Sequence, residues 1–345
     1  MRISTPYFNS SSLVGMQQHS EALYNIQKQL SSGQRVMTPG DDPVASARIY
    51  RAQSSIDNMD KLTKNGDFAR GRLMTEDSAL GEVTNNLQRI RELALQGLNG
   101  SYNGQDRKAM ATEMRGILQN MISISNTQDS NREYIFAGDQ SDTAPFAQNN
   151  DPISGLPDVT APVTSSITNT DGARFVQIAM DNDHQMDISN PNVGDYSRVR
   201  ISDNGNKVFA VTPNANVNTV VSNMTGGAAT GNSNVFETVS RLAEVFDSQG
   251  SALPAGTEDF ISELDSSIDN ISQVRAEVGS RVNRIDDQYD VNETFKLGLT
   301  EGLSKLRDMD MVTGISDYQK ILSGLQMSQL TYSKVSELSL FNYLR

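Results

Sequence analysis

Residues 257–309 read TEDFISELDSSIDNISQVRAEVGSRVNRIDDQYDVNETFKLGLTEGLSKLRDM. Apolar side chains recur at Leu264, Ile268, Ile271, Val274, Val278, Val282, Ile285 and Tyr289, then at Phe295, Leu299, Leu303, Leu306 and Met309. Steps of three and four place them on one face of an α-helix. Thr257 opens the run, with Glu258 and Asp259 in its first turn, where negative charge suits the helix dipole. At about 1.5 Å rise per residue, a helix of some fifty residues is roughly 75 Å long, so this text predicts a rod.

The pattern has a counterpart nearer the start. After Asp41-Asp42-Pro43, where an aspartate can cap and proline can take the first helical position, Ala45, Ile49, Ala52, Ile56 and Met59 begin a stripe. It resumes at Leu80, Val83, Leu87, Ile90 and Ala94, with Gly66 and Gly71 inside, and predicts one helix of more than fifty residues. Beyond the turn at Gly100–Gly104, Met110, Met114, Ile117, Met121 and Ile124 mark another helix that fades near Gly138. Val235, Val239, Leu242 and Phe246 mark a short one. The two ends also match each other. Leu13, Met16, Leu23 and Leu30 hold heptad-related positions, and Ile315, Tyr318, Leu322, Leu325, Tyr332, Val335, Leu338 and Phe341 form a second seam. Sustained three-four stripes of this kind are coiled-coil seams that need partners.

The middle differs in composition. No glutamate lies between Glu133 and Glu237, Leu156 is the only leucine there, and six prolines (145, 152, 157, 162, 191 and 213) fall within it. Strong helix formers have given way to turn formers. The runs Arg174–Met180, Tyr196–Ser202 and Lys207–Thr212 are β-prone and bounded by turn signals. The expected fold is mainly α with a β insert. N- and C-terminal segments make a long antiparallel helical rod and coiled coil, with a small β domain at the distal tip. The expected division is residues 1–41 with 313–345 as a terminal coiled-coil domain, 42–139 with 233–312 as a helical rod domain, and 140–232 as an outer β domain. Because the middle interrupts helical text, it is expected to add nothing to the apolar stripes and to be dispensable for assembly.

Composition removes most catalytic chemistry. The 345 residues include 29 Lys+Arg against 42 Asp+Glu, a net charge of −13, so the chain repels phosphate backbones and anionic lipid; neither nucleic acid nor membrane is an expected partner. There is no cysteine, no tryptophan and only two histidines, His19 and His184, which leaves little for zinc sites or Ser-His-Asp machinery. His184 stands among Asp181, Asp183 and Asp187, but the glycine and terminal glutamate of a calcium loop are missing, so turn chemistry explains them. No glycine-rich phosphate loop and no HExxH motif occur. Catalytic residues, cofactors and metals are therefore not expected. No 18-residue apolar run exists, and the start, MRISTPYFNSSSLVG, lacks the apolar core of a cleaved signal peptide.

The stretch Leu30–Ala47, LSSGQRVMTPGDDPVASA, closely resembles the N-terminal signature of the bacterial flagellin superfamily, carried here by Ser31, Ser32, Gly33, Asp41, Asp42 and Pro43. LQRIRELALQ at 87–96, VGSRVNRI at 278–285 (with Gly279, Arg281 and Asn283) and the terminal Leu344-Arg345 follow in the order expected of that superfamily. MRIST at 1–5, TPGDDP at 38–43, REYIFAGDQSDTAPF at 132–146 and LSLFNYLR at 338–345 resemble its junction-forming branch, whose members join hook to filament. The resemblance covers 1–146 and about 233–345; 147–232 matches nothing. It implies a structural subunit, self-assembled into a short ring or tube through the terminal helices, with a filament flagellin as the alternative. It also implies neighbouring hook-associated and flagellin subunits as partners and an export chaperone on the C-terminal segment. The expected location is extracellular, on the flagellum, reached by type III export without a cleaved signal. LQRIRELALQ further resembles the flagellin surface read by a vertebrate toll-like receptor; Leu87 and Ile90 should face the core, with Arg89 and Leu93 off that stripe.

Overall fold

A computed structural model describes residues 5–148, 163–165, 173–180, 197–211, 217, 234–248 and 253–343, with backbone alone at 5–9, 163–165 and 335–343. The helices are α1 (Thr5–Ser32), α2 (Pro43–Leu98), α3 (Gly104–Ser125), α4 (Gly205–Val208), α5 (Val235–Asp247), α6 (Asp259–Arg307) and α7 (Met311–Tyr343). The strands are β1 (Phe146–Gln148), β2 (Val163–Ser165), β3 (Phe175–Gln177) and β4 (Arg198–Arg200). The fold is mostly helical, as the periodicity predicts, and the long helices α2 and α6 fall where the stripes place them. Two compact units result: Met1–Asp60 with Glu293–Arg345, and Lys61–Asn292.

In the second unit α2 and α6 run antiparallel, as their cross-helix ion pairs record. Arg91 meets Asp265 (2.5 Å), Asp77 meets Arg275 (2.8 Å) and Arg70 meets Asp286 (3.2 Å), one residue number rising as the other falls. These pairs are largely exposed and worth about 0–1 kcal/mol each, so they set register more than stability. Stability comes from the apolar faces between them. Leu80, Val83, Leu87 and Ile90 of α2 join Met114, Leu118 and Met121 of α3, Val239, Leu242 and Phe246 of α5, and Leu264 and Ile271 of α6 in one core. Helix α3 starts on a full capping box: Asn103 accepts from the Asp106 amide, and Asp106 accepts in return from the Asn103 amide.

Several sequence expectations are corrected here. Helix α3 stops at Ser125, not near Gly138, because Asn126 caps it and turns its side chain to both the amide and carbonyl of Phe146 (3.0 and 2.8 Å). Leu93 is not off the core stripe; it is 2% exposed and lies in the same core as Leu87 and Ile90, while Arg89 pairs with Glu92 and Glu113. Coverage of this part of α2 by α3 and α5 as well as α6 widens its buried face beyond one stripe. Lys207–Val211, the described part of the run Lys207–Thr212, is not a strand. Asn204 accepts from the Asn206 amide and starts the short turn α4, after which Val208 and Phe209 are both buried, whereas a strand would have sent one of them outward.

Among the described residues the β-strands form two separate antiparallel pairs, β1 with β2 and β3 with β4. The middle segment also feeds the helical core, contrary to the expectation that it contributes to no apolar stripe. Ile178, Val199 and Ile201 pack with Ala69 and Leu73 of α2 and Val278 and Ile285 of α6. Phe146 and Phe209 form a ring cluster with Phe136 and Phe236, centroids 4.8–5.5 Å apart. The carboxylates and histidine at 181–187 lie outside the described residues.

Candidate assembly interface

The first unit is organised by α1 lying along α7. Leu30 approaches Gly314 so closely that a Cβ there would meet the Leu30 Cδ2 at 3.0 Å and overlap the Met309 methyl. Half-way along the pair, the His19 ring sits 3.3 Å from where a Gly324 Cβ would be. The two glycines thus act as notches that receive a leucine and a histidine. An open groove between the helices is lined by His19, Ala22, Ile26 and Gln29 on one side and Asp317, Lys320 and Ile321 on the other.

The residues predicted from the seams distribute unevenly over this pair. Met16, Leu23, Leu30, Tyr318, Leu322, Leu325 and Tyr332 are half-buried; Leu13 and Ile315 face outward, Ile315 at 49% exposure. The side chains of Val335, Leu338 and Phe341 lie outside the described residues. Ile26, at 8% exposure, and Gly314, Ile321 and Gly324 are packed positions that the seams did not include. Val14, Tyr24, Val312, Met327 and Leu330 add to the exposed apolar surface, Val312 reaching 76%. A two-helix pair that leaves this much apolar surface in water offers faces on which further helices can pack.

The motif 31–43 clamps the same unit at its other end. Gly33 takes φ +71°, a left-handed conformation that glycine adopts without penalty, and so ends α1 and turns the chain. The strand-like run that follows lies against the α6–α7 junction: the Arg35 amide donates to the Arg307 carbonyl (2.7 Å) and the Met309 amide to the Gly33 carbonyl (2.9 Å). The Arg35 guanidinium also donates to the Leu306 carbonyl (2.9 Å). Ser32 accepts from the Gln34 amide, and Ser31 is exposed. Asp41 accepts from the amides of Met37 and Thr38, and Asp42 from that of Ala45, so Asp42 caps α2 and Pro43 is its first residue. These backbone donors hold both carboxyls below the usual carboxylate range. A lowered folded pKa means the stabilisation is present above the ordinary carboxylate pKa and is lost as pH falls through the lowered one. Asp42→Ala is expected to fray the start of α2 and reduce helical circular dichroism at pH 7, with the difference from the parent shrinking as pH falls below the ordinary carboxylate range.

The second motif, on α6, is built differently. Gly279 and Asn283 are exposed, and the glycine has open space where a Cβ would stand. Arg281 is drawn inward, donating to Asp203 (2.6 Å) and Glu277 (3.3 Å). Its neighbours Arg72, Glu76, Arg200 and Asp203 are charged groups that the sequence reading missed; a charged residue on the core phase of a helical stripe, as Glu76 is between Leu73 and Leu80, was the available signal. Among the described residues no cluster of three or more His, Asp and Glu could hold a metal ion. Among them, too, no helix is long and apolar enough to cross a membrane.

Residues 3–141 match the bacterial flagellin N-terminal helical region, and residues 261–344 match the bacterial flagellin C-terminal helical region. Flagellar hook-associated protein 3 of Escherichia coli K12 is 27% identical over 350 residues, covering 99% of each chain. Flagellar hook-associated protein 3 of Salmonella typhimurium LT2 is also 27% identical, over 347 residues and 100% of both. The fold is shared with a putative flagellar hook-associated protein from Vibrio parahaemolyticus, with a TM-score of 0.59 at 20% identity over 78% of this chain and all of that one. With both helical regions of the family in order, the α1–α7 pair they form and the glycine-turned motif between α1 and α2 in place, the chain belongs to the bacterial flagellin family.

Proposed function

We propose that this protein is a structural subunit of the bacterial flagellum that joins hook to filament, assembling as a short ring or tube through α1 and α7. The observation that carries this reading is the end-to-end similarity to hook-associated protein 3 relatives, which extends through the middle segment. The exposed apolar faces of α1 and α7 support it, because they supply surface for self-association. The assembly residues on this reading are Leu13, Met16, Leu23, Leu30, Ile315, Tyr318, Leu322, Leu325, Tyr332, Val335, Leu338 and Phe341. Its neighbours would be another hook-associated subunit on one side and flagellin on the other, with a chaperone holding the C-terminal segment before export through the type III apparatus, without a cleaved signal. The domains proposed are 1–41 with 313–345 for the inner wall, 42–139 with 233–312 outside it, and 140–232 outermost.

The function is mechanical, not catalytic. Cells lacking the protein are expected to retain hooks and to shed filament protein into the medium, seen by electron microscopy and fractionation. Filaments still anchored to hooks in such cells would overturn the reading. Purified protein that polymerises into long filaments would favour a filament flagellin instead.

A further inference from the structure

Glu76 is the one fully enclosed carboxylate of α2, and neither of its oxygens has a hydrogen-bond partner. Three guanidiniums lie near enough to act on its charge: Arg72 one turn earlier on α2, Arg200 at the end of β4, and Arg281 on α6. The remaining charged groups of the cluster are Asp77 on α2, Asp203 just after β4, Glu277 on α6, and the Asp129, Glu133 and Arg174 that engage Arg72. Asp203 is shared between Arg200 and Arg281, so it ties the middle segment to α6; Arg72 also donates to the Ile201 carbonyl (2.9 Å), which ties the same segment to α2. With Glu76 neutral, Arg200 and Arg281 both remain committed to Asp203. With Glu76 charged, a buried anion without a donor must either draw those arginines away or admit water.

We propose that Glu76 is a proton-operated latch on the middle segment: the seated segment 198–204 keeps this carboxyl protonated, and loss of that proton loosens the segment from α2 and α6. Burial pushes the carboxyl up to about 7, against 4.5 when free, while Arg281, Arg200 and Arg72 oppose the shift. A raised folded pKa places the extra stability below the free carboxyl's pKa and removes it as pH rises through the folded one. The latch is thus tight in mild acid and loosens through neutrality.

The test is amide hydrogen exchange of residues 198–204 in the full chain at pH 6 and pH 8, corrected for intrinsic exchange. From the two pKa values, opening should increase roughly tenfold between these pH values in the parent. Glu76→Gln, a neutral isostere, should change less than twofold, and His184→Gln should behave as the parent does. An equal increase in Glu76→Gln, or its loss in His184→Gln, would overturn the proposal. Independently of any variant, carbon-13 spectra of the parent should show one glutamate carboxyl titrating with a midpoint between about 6 and 8; none doing so would also overturn it.

Discussion

Leu325→Asp is expected to abolish incorporation of the subunit into flagella while leaving the thermal unfolding of the Lys61–Asn292 unit unchanged. The asymmetry follows from how little the α1–α7 pair buries on its own. Ile26 is the only apolar side chain of α1 that is buried among those described, and Gly314 holds the corresponding place on α7. Ordering about thirty residues of each helix costs at least roughly 1 kcal/mol per residue in backbone entropy. Half-buried leucines and tyrosines recover about 25 cal/mol for each Å² of apolar surface removed from water, and most of that surface is removed only when other subunits pack on it. A charge at Leu325 therefore has modest consequences in the free chain and large ones in an assembly, where it would be buried without a partner. Limited proteolysis of the free chain should cut first before about residue 40 and after about residue 310, leaving a resistant middle. Termini as resistant as the middle, or Leu325→Asp subunits that incorporate normally, would show that the pair is stable before assembly.

Replacement of residues 147–226 by a short Gly-Ser linker is expected to unfold the second unit, not merely to trim it. The segment contributes Ile178, Val199, Ile201, Val208, Phe209, Val211 and Val217, all buried, to the two cores beneath α2, α3 and α6. At about 1.5–3 kcal/mol for each such side chain, the loss is roughly 10–20 kcal/mol, as large as the whole stability of an ordinary domain. Phe209→Ala alone should cost about 3–5 kcal/mol, since its ring touches Phe136, Phe146 and Phe236 and its removal leaves a cavity among them. A circular dichroism melt reads both: no cooperative transition for the replacement, and a clearly lowered midpoint for the single variant. A replacement that melts like the parent would restore the view that the middle is an appendage.

What could be read from the chain followed how each residue does its work. Pro43 and Asp42 act through local backbone chemistry, so the start of α2 was legible, and the fifty-residue stripe of α6 was legible because one period repeats along it with a single six-residue step, from Tyr289 to Phe295. The packed side of α7 was legible only in part. A search for apolar side chains finds Tyr318, Leu322 and Leu325, which are half-buried, but it also selects Ile315, which is exposed, and passes over Gly314, which is buried against Leu30; a glycine that acts by lacking a side chain leaves no hydrophobic mark. Val208 and Phe209 misled for a related reason. Their β propensity is genuine, but Asn204 supplies a local cap and Phe136, Phe146 and Phe236 supply a pocket that only the folded chain assembles. Glu76 and Arg281 belong to an ionic cluster drawn from three distant segments; the core phase of Glu76 between Leu73 and Leu80 marks one member, but no spacing along the chain names its partners.

The clamp between Arg35 and Leu306 joins residues 271 positions apart. Closing so long a loop from an open coil is slow and entropically unfavourable, yet the ion pair of Asp60 with Lys296 (2.7 Å) lies far closer to it than the chain length suggests. Once the α2–α6 pairing has zipped to that point, the stretch left to close is only a few dozen residues, which reduces the closure entropy by about 2 kcal/mol. Loop-closure entropy therefore favours an order in which the α2–α6 pairing forms before the clamp at the chain ends. On the assembly proposed above, that order leaves the surfaces of α1 and α7 as the last part of a new molecule to form.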